Sequence, residues 1–207
     1  MKHLWDILCR GSILTILLSS LLLIASAETV SYCDSIPMQL TDWNSSVSLP
    51  KFDPEMGTLT GVELKCVLNL SQGVSLENMN NNGGNFTIFI NGGLLVDLPN
   101  SENISINADH SSEGELAGFD GRKDRSGPSG LNRSEVITVE PVIKNYSHID
   151  DFIAGSADEM AILPVTATFM SKTETSGSFL SGISLMAGAS VCIFYTYEPN
   201  TARKGGN

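Results

Sequence analysis

Histidines, cysteines and paired carboxylates are the residues in this chain with chemistry to offer, and they are sparse. Beyond the N-terminal leader described below, the histidines are His110 and His148. Asp150 and Asp151 follow His148 closely. Gathered with His110 they would make a metal or acid–base site, but the same spacing is that of a solvated helix start. Asp158-Glu159 and Glu113-x-Glu115 are carboxylate pairs of the kind glycosidases use. That chemistry needs two carboxyls held on either side of a scissile bond, which adjacency in sequence does not supply. No His-Glu-x-x-His, Gly-x-Ser-x-Gly, phosphate-loop or dinucleotide pattern occurs. A secreted hydrolase is therefore the least favoured reading, and the expectation is no enzyme.

Calcium is the one metal the sequence suggests. Asp120-Gly121-Arg122-Lys123-Asp124 places two hard oxygen ligands, Asp120 and Asp124, in a Gly-rich stretch. Arg122, Lys123 and Arg125 neutralise the charge that would draw a divalent ion, so salt bridging within the loop is the stronger expectation. No other cofactor is expected.

The elements that must position these groups begin after a leader. Lys2 and Arg10 give a basic start, Ile13 to Ile24 is apolar apart from Thr15, Ser19 and Ser20, and Ala25-Ser26-Ala27 is a small-residue cleavage site. A run of about 12 residues is too short to span ~30 Å of hydrocarbon. Residues 1–27 thus read as a signal peptide. Residues 28–199 read as one domain and 200–207 as a short polar tail, in an exported chain that does not span the membrane after cleavage. Losing Lys2, Arg10 and Asp6 takes the formal charge from −11 to −12. An acidic, aromatic-poor protein repels phosphate backbones and anionic lipid, which excludes nucleic-acid binding from the expected functions.

Cys9 leaves with the leader, and Cys33, Cys66 and Cys192 remain. Val62, Leu64, Cys66 and Leu68 alternate with polar residues, so Cys66 faces the core. Cys33 lies opposite the face made by Val30, Tyr32 and Ile36, and Cys192 opposite that of Val191, Ile193 and Tyr195. Cys33 and Cys192 meet if the first and last strands pair. The alternative is that no bridge forms.

Short alternating runs separated by Gly, Asn, Ser and Pro predict an all-β chain. The expected strands are Glu28–Ile36, Ser46–Phe52, Thr58–Leu70, Val74–Met79, Phe86–Ile90, Leu94–Leu98, Asn103–Asn107, Glu135–Ile143, Ala161–Ser171 and Ser178–Tyr197, the last broken near Gly182 or Gly188. Asn80 to Gly84 reads as a turn, and Asn91-Gly92-Gly93 as the turn of a hairpin over Phe86 to Leu98. One short helix is expected over 147–153, with Ser147 as its N-cap. Asp109 to Asn132 reads as a long irregular stretch, the expected contact region. Many short strands fit an antiparallel two-sheet β-sandwich, jelly-roll or immunoglobulin-like.

Asn-x-Ser/Thr sequons occur at Asn44, Asn69, Asn85, Asn103, Asn132 and Asn145. Asn44 and Asn132 are expected in loops, Asn85 and Asn145 at strand edges, Asn69 and Asn103 on the polar parity of strands. In an organism that does not glycosylate them, they are ordinary polar surface.

The segments Glu28 to Trp43, Val47 to Pro54 and Gly57 to Val62, then Phe119-Asp120-Gly121 with Ser126 to Gly130, and the closing Tyr195-Thr196-Tyr197-Glu198-Pro199, resemble the choice-of-anchor E domain family over nearly all of 28–199. The resemblance implies an exported microbial surface domain and no particular activity. Such domains usually precede a C-terminal sorting signal. Here only Asn200 to Asn207 follow, with no apolar span or sorting motif. The expectation is release, or retention by other means. The three cysteines are a lesser departure.

The leading expectation is a non-enzymatic secreted or cell-surface module, structural or adhesive, with surface or matrix components, or glycans, as partners. A carbohydrate-binding sandwich would need Trp43, Phe119, Tyr146 and Phe152 on one exposed face. Assembly through open first or last strands is a further possibility.

Overall fold

The structure is a computed structural model that describes residues 26–200. Most of the expected leader and the tail beyond Asn200 lie outside the described residues.

Among the described residues nine strands make two antiparallel sheets. β1 (Glu28–Leu40), β9 (Phe179–Pro199) and β3 (Gly57–Asn78) lie side by side, and β6 (Gly130–Ile137) and β7 (Val142–Tyr146) share the far edge of β3. The second sheet runs β2 (Trp43–Pro50), β8 (Met160–Thr175), β4 (Gly84–Asp97), β5 (Asn103–Leu116). The pairing is nested: first strand with last, β2 with β8, β3 with β6 and β7, β4 with β5. β9–β3 and β8–β4 contacts then roll this long double ribbon into a sandwich, the connectivity of a jelly roll.

Alternation builds the core. Leu64, Cys66, Leu70, Ile88, Ile90, Val165, Val191 and Ile193 point inward and are wholly or almost wholly buried. Two buried aromatics tie the sheets through their polar ends. Trp43 Nε1 donates to the Ala187 carbonyl at 3.1 Å, and Tyr195 OH to the Pro50 carbonyl at 2.9 Å. Pro37 lies in the register shift of β1, and Pro164 lies beyond the last β4–β8 pair, Val96 with Val165.

Several expectations change. β3 and β9 are each continuous. Asn91-Gly92-Gly93 is no turn, because β4 runs straight through it between β5 and β8. The irregular stretch shrinks to residues 117–129, since β5 continues to Leu116 and β6 begins at Gly130. Glu135–Ile143 divides between β6 and β7. The expected helix is one 3-10 turn, Ile149–Phe152, capped by His148 in place of Ser147 and without a side-chain cap bond.

Candidate functional site

Cys33 and Cys192 are directly opposed in the β1–β9 ladder and joined by a disulfide, S–S 2.04 Å. Both point away from the core, and Cys66 is a buried free thiol. Burial pushes that thiol up to about 11.

All six sequon asparagines are exposed and all six lie in strands, including Asn44 in β2 and Asn132 in β6, which the sequence places in loops. Three stand on the outer face of each sheet: Asn69, Asn132 and Asn145 on one, Asn44, Asn85 and Asn103 on the other. A strand explains the motif's form, because Asn and Ser/Thr two apart share the outer face. The residue between them points inward, as buried Leu70, Phe86, Ile104 and Tyr146 do.

The 117–129 loop is held by a buried polar hub at the end of β3. Glu77 and Asn78 are fully buried. The Glu77 carboxylate accepts from Ser129 Oγ at 2.7 Å and the Arg125 backbone N–H at 2.5 Å. Asn78 Nδ2 donates to the carbonyls of Asn82 and Ala117. Asn78 continues the inward parity of Val74 and Leu76, whereas Glu77 stands on the opposite parity and is buried by the loop itself, which no sequence pattern signals. Asp120 and Asp124 serve the loop itself. Asp120 Oδ1 accepts from the Arg122 N–H, and Asp124 Oδ1 from Ser126 N–H and Oγ–H. The bonds from Ser126 hold the Asp124 carboxyl below its ordinary range. No group of three or more metal-ligating side chains stands together among the described residues.

The histidines are not brought together with Asp150 and Asp151. Both lie along the seam where β5 and its preceding turn face β6 and β7. His110 Nε2 is 3.6 Å from Glu135 Oε1, and His148 Nδ1 is 3.3 Å from Glu102 Oε1. Lys144 Nζ, at 2.6 Å from Glu102 Oε2, is the first cause of that carboxyl's lowered pKa. Ser112 lies two residues from His110 on the same inner face. Its Oγ is closed to solvent and bonded to no described group. Fully buried Gln72, beside Glu135 in the ladder, likewise has no partner at either end of its amide among the described residues. A nucleophile needs access and a hydrogen-bonded base, and Ser112 has neither.

The aromatics proposed for a sugar platform do not form one. Trp43, Tyr146 and Phe152 are buried and Phe119 is half-buried. Tyr146 OH donates to Asp151 Oδ2 at 2.7 Å, which fastens the 3-10 turn.

A cleft of about 520 Å³ lies at one end of the sandwich between residues 50–56 and 154–159. It gathers Asp158 and Glu159 with Asp53, Glu55, Lys51 and Tyr32. Glu159 is fully engaged, with Lys51 Nζ at 2.6 Å on one oxygen and the Gly155 N–H at 2.7 Å on the other. The lysine first, then that N–H, lower its pKa. Glu113 and Glu115, by contrast, share the outer face of β5.

No protein-family model matches the chain, and no curated protein matches it. Among solved structures it aligns with infectious bursal virus-derived T=1 particles at 12% identity and TM-score 0.17, covering 84% of this chain and 37% of that one. A second alignment, to the infectious bursal disease virus Gt strain, has 12% identity, TM-score 0.14 and coverage of 83% and 43%. The chain spans less than half the length of either, and scores this low support no inference about fold or function.

Proposed function

We propose that the chain is an exported, non-enzymatic β-sandwich module that works outside the cell as a structural or adhesive component. The Cys33–Cys192 bridge carries the reading. It lies on the outer face of the sheet, where a reducing compartment would open it. The outward sequons fit the same setting, since glycans on either sheet would leave the core undisturbed. The ends of the sandwich then serve as contact surfaces toward surface or matrix components, above all the 117–129 loop with Arg122, Lys123 and Arg125 exposed. The engaged states of His148 and Glu159 support the non-enzymatic part.

Fractionation of the native producer tests this. Protein in the medium or on the cell surface, beginning at Glu28 and showing one thiol when unfolded without reductant, is the expected result. Protein in the cytoplasm with its leader uncleaved and all four thiols free would overturn it.

A further inference from the structure

We propose that Asn82 is a site of spontaneous covalent modification, and that its conversion to isoaspartate loosens the 117–129 loop. Asparagine followed by glycine is the pair in which the next backbone nitrogen closes most readily on the side-chain amide, because glycine has no Cβ to block the approach. The chain holds two such pairs, Asn82-Gly83 and Asn91-Gly92. The fold treats them differently.

Asn82 and Gly83 are both exposed and stand between β3 and β4, outside either strand. The Asn82 side chain and the Gly83 N–H have no hydrogen-bond partner among the described residues. Asn91 and Gly92 lie inside β4. Gly92 is paired with Ala108 on one side and Phe169 on the other, and Asn91 Nδ2 donates to Asp109 Oδ1 at 2.8 Å. Ladder bonds hold that backbone extended, so ring closure there requires the strand to open first.

The reaction needs only hydroxide and water. Hydroxide takes the Gly83 amide proton, and the nitrogen attacks Asn82 Cγ. The N–Cγ bond forms as the side-chain nitrogen leaves as ammonia, with a proton from water that regenerates hydroxide. Water then opens the succinimide at either carbonyl, giving aspartate or isoaspartate. The net change is loss of ammonia, gain of water and one new negative charge. In isoaspartate the backbone also runs through an extra methylene.

The consequence follows from what the turn carries. The Asn82 carbonyl accepts from Nδ2 of buried Asn78, which also donates to the Ala117 carbonyl. The Asn80 carbonyl accepts from the Phe119 N–H at 2.7 Å. Gly118 packs so closely on Asn81 that a Cβ there would stand 2.2 Å from the Asn81 carbonyl oxygen. A lengthened backbone at position 82 moves the carbonyl that Asn78 holds, and with it the wall on which residues 117–119 rest. No enzyme or compartment enters this chemistry, so the inference does not rest on the extracellular reading.

Incubation of the full chain at mildly alkaline pH, followed by digestion with a glutamate-specific protease and mass mapping, tests it. Cleavage after Glu77 and Glu102 leaves both pairs in one peptide, and fragmentation distinguishes them. A urea-denatured sample supplies the intrinsic rate of each pair. Native Asn82 should react at close to its denatured rate, with Asn91 slowed by more than about tenfold. Gly83→Ala, whose methyl would meet Glu115 Oε1 and the Leu116 carbonyl oxygen at 3.4 Å, should fold and slow the reaction at position 82 severalfold. Trypsin should cut after Arg122 severalfold faster in the isoaspartate form than in fresh protein or in Asn82→Asp, which carries the charge without the methylene. Native Asn82 protected as strongly as Asn91, or an isoaspartate form cut at the rate of fresh protein, would overturn the proposal.

Discussion

One bridge and one buried thiol make cysteine counting a direct readout of the folded state. Burial lifts the Cys66 thiol to about 11, so at pH 8 the native chain offers little thiolate to an alkylating agent. Iodoacetamide should leave the native protein unlabelled. For a chain beginning at Glu28 it should add one group in denaturant and three when reductant is included. Mass spectrometry reads each state, and native labelling at an ordinary thiol's rate would move Cys66 to the surface. Tyr146 gives a pH signature. Burial first, then its bond to Asp151, raises its pKa to about 12. A raised pKa means stability that is present below the free phenol's pKa of ~10 and lost as pH rises through about 12. Tyr146→Phe should cost about 1–2 kcal/mol near neutrality by removing the bond to Asp151. It should also flatten the alkaline loss between pH 10 and 12. Urea midpoints across that range check both, and an unchanged alkaline slope would assign the loss elsewhere.

At the level of elements, glycine marks what sequence reading resolves and what it does not. A Cβ at Gly92 would stand 2.2 Å from the Thr168 carbonyl oxygen and 2.7 Å from Phe169 Cα, both on the neighbouring backbone. Gly92→Ala should therefore destabilise by ~2–3 kcal/mol. Gly182→Ala, whose new methyl meets nothing nearer than 3.8 Å, should be neutral or stabilising by up to about 1 kcal/mol. Urea melts of the pair separate close approach from generic loss of glycine. Asn91-Gly92-Gly93 looked like a turn because close backbone approach and positive φ demand the same residue, and the demand in β4 comes from β8, over 70 positions away. Strands with unbroken apolar alternation, such as β8 and the first half of β3, are legible, whereas β3 reads as two strands because Gln72 and Gly73 interrupt the apolar run. β5 was cut short because His110, Ser112 and Gly114 occupy inward positions where an apolar residue would have extended the pattern. The Glu77–Asn78 hub escaped for a related reason, since its partners Ser129, Arg125 and Ala117 are far along the chain. Glu77→Ala should loosen the 117–129 loop. Tryptic cleavage after Arg122, Lys123 or Arg125 should accelerate severalfold in the variant, and equal rates would show that the loop is held without the hub.

Across the whole molecule the nested pairing sets the order in which the chain can close. Glu28 pairs with Tyr197 and Cys33 with Cys192, so the outermost ladder joins the two ends of the domain. No local signal announces such pairing, and the disulfide parity argument was the only sequence feature that reached across it. The physical consequence is kinetic. β9 is flanked by β1 on one side and β3 on the other, and both contacts require closure of long loops before they return any stabilisation. A chain dominated by such contacts should refold in milliseconds to seconds, as other non-local β folds do. With the 159-residue loop already closed by the bridge, the denatured ensemble is restricted, by up to about 5 kcal/mol in the chain-entropy model. Part of that advantage should appear in the folding rate. The disulfide-intact chain should refold on the order of tenfold faster than Cys33→Ser/Cys192→Ser, which assigns ~1.4 kcal/mol of the closure cost to the transition state. Stopped-flow refolding from urea measures both chains under one condition. Equal folding rates with a faster-unfolding variant would mean that β1 docks onto β9 only after the barrier, making the first strand a late latch on a sandwich already formed.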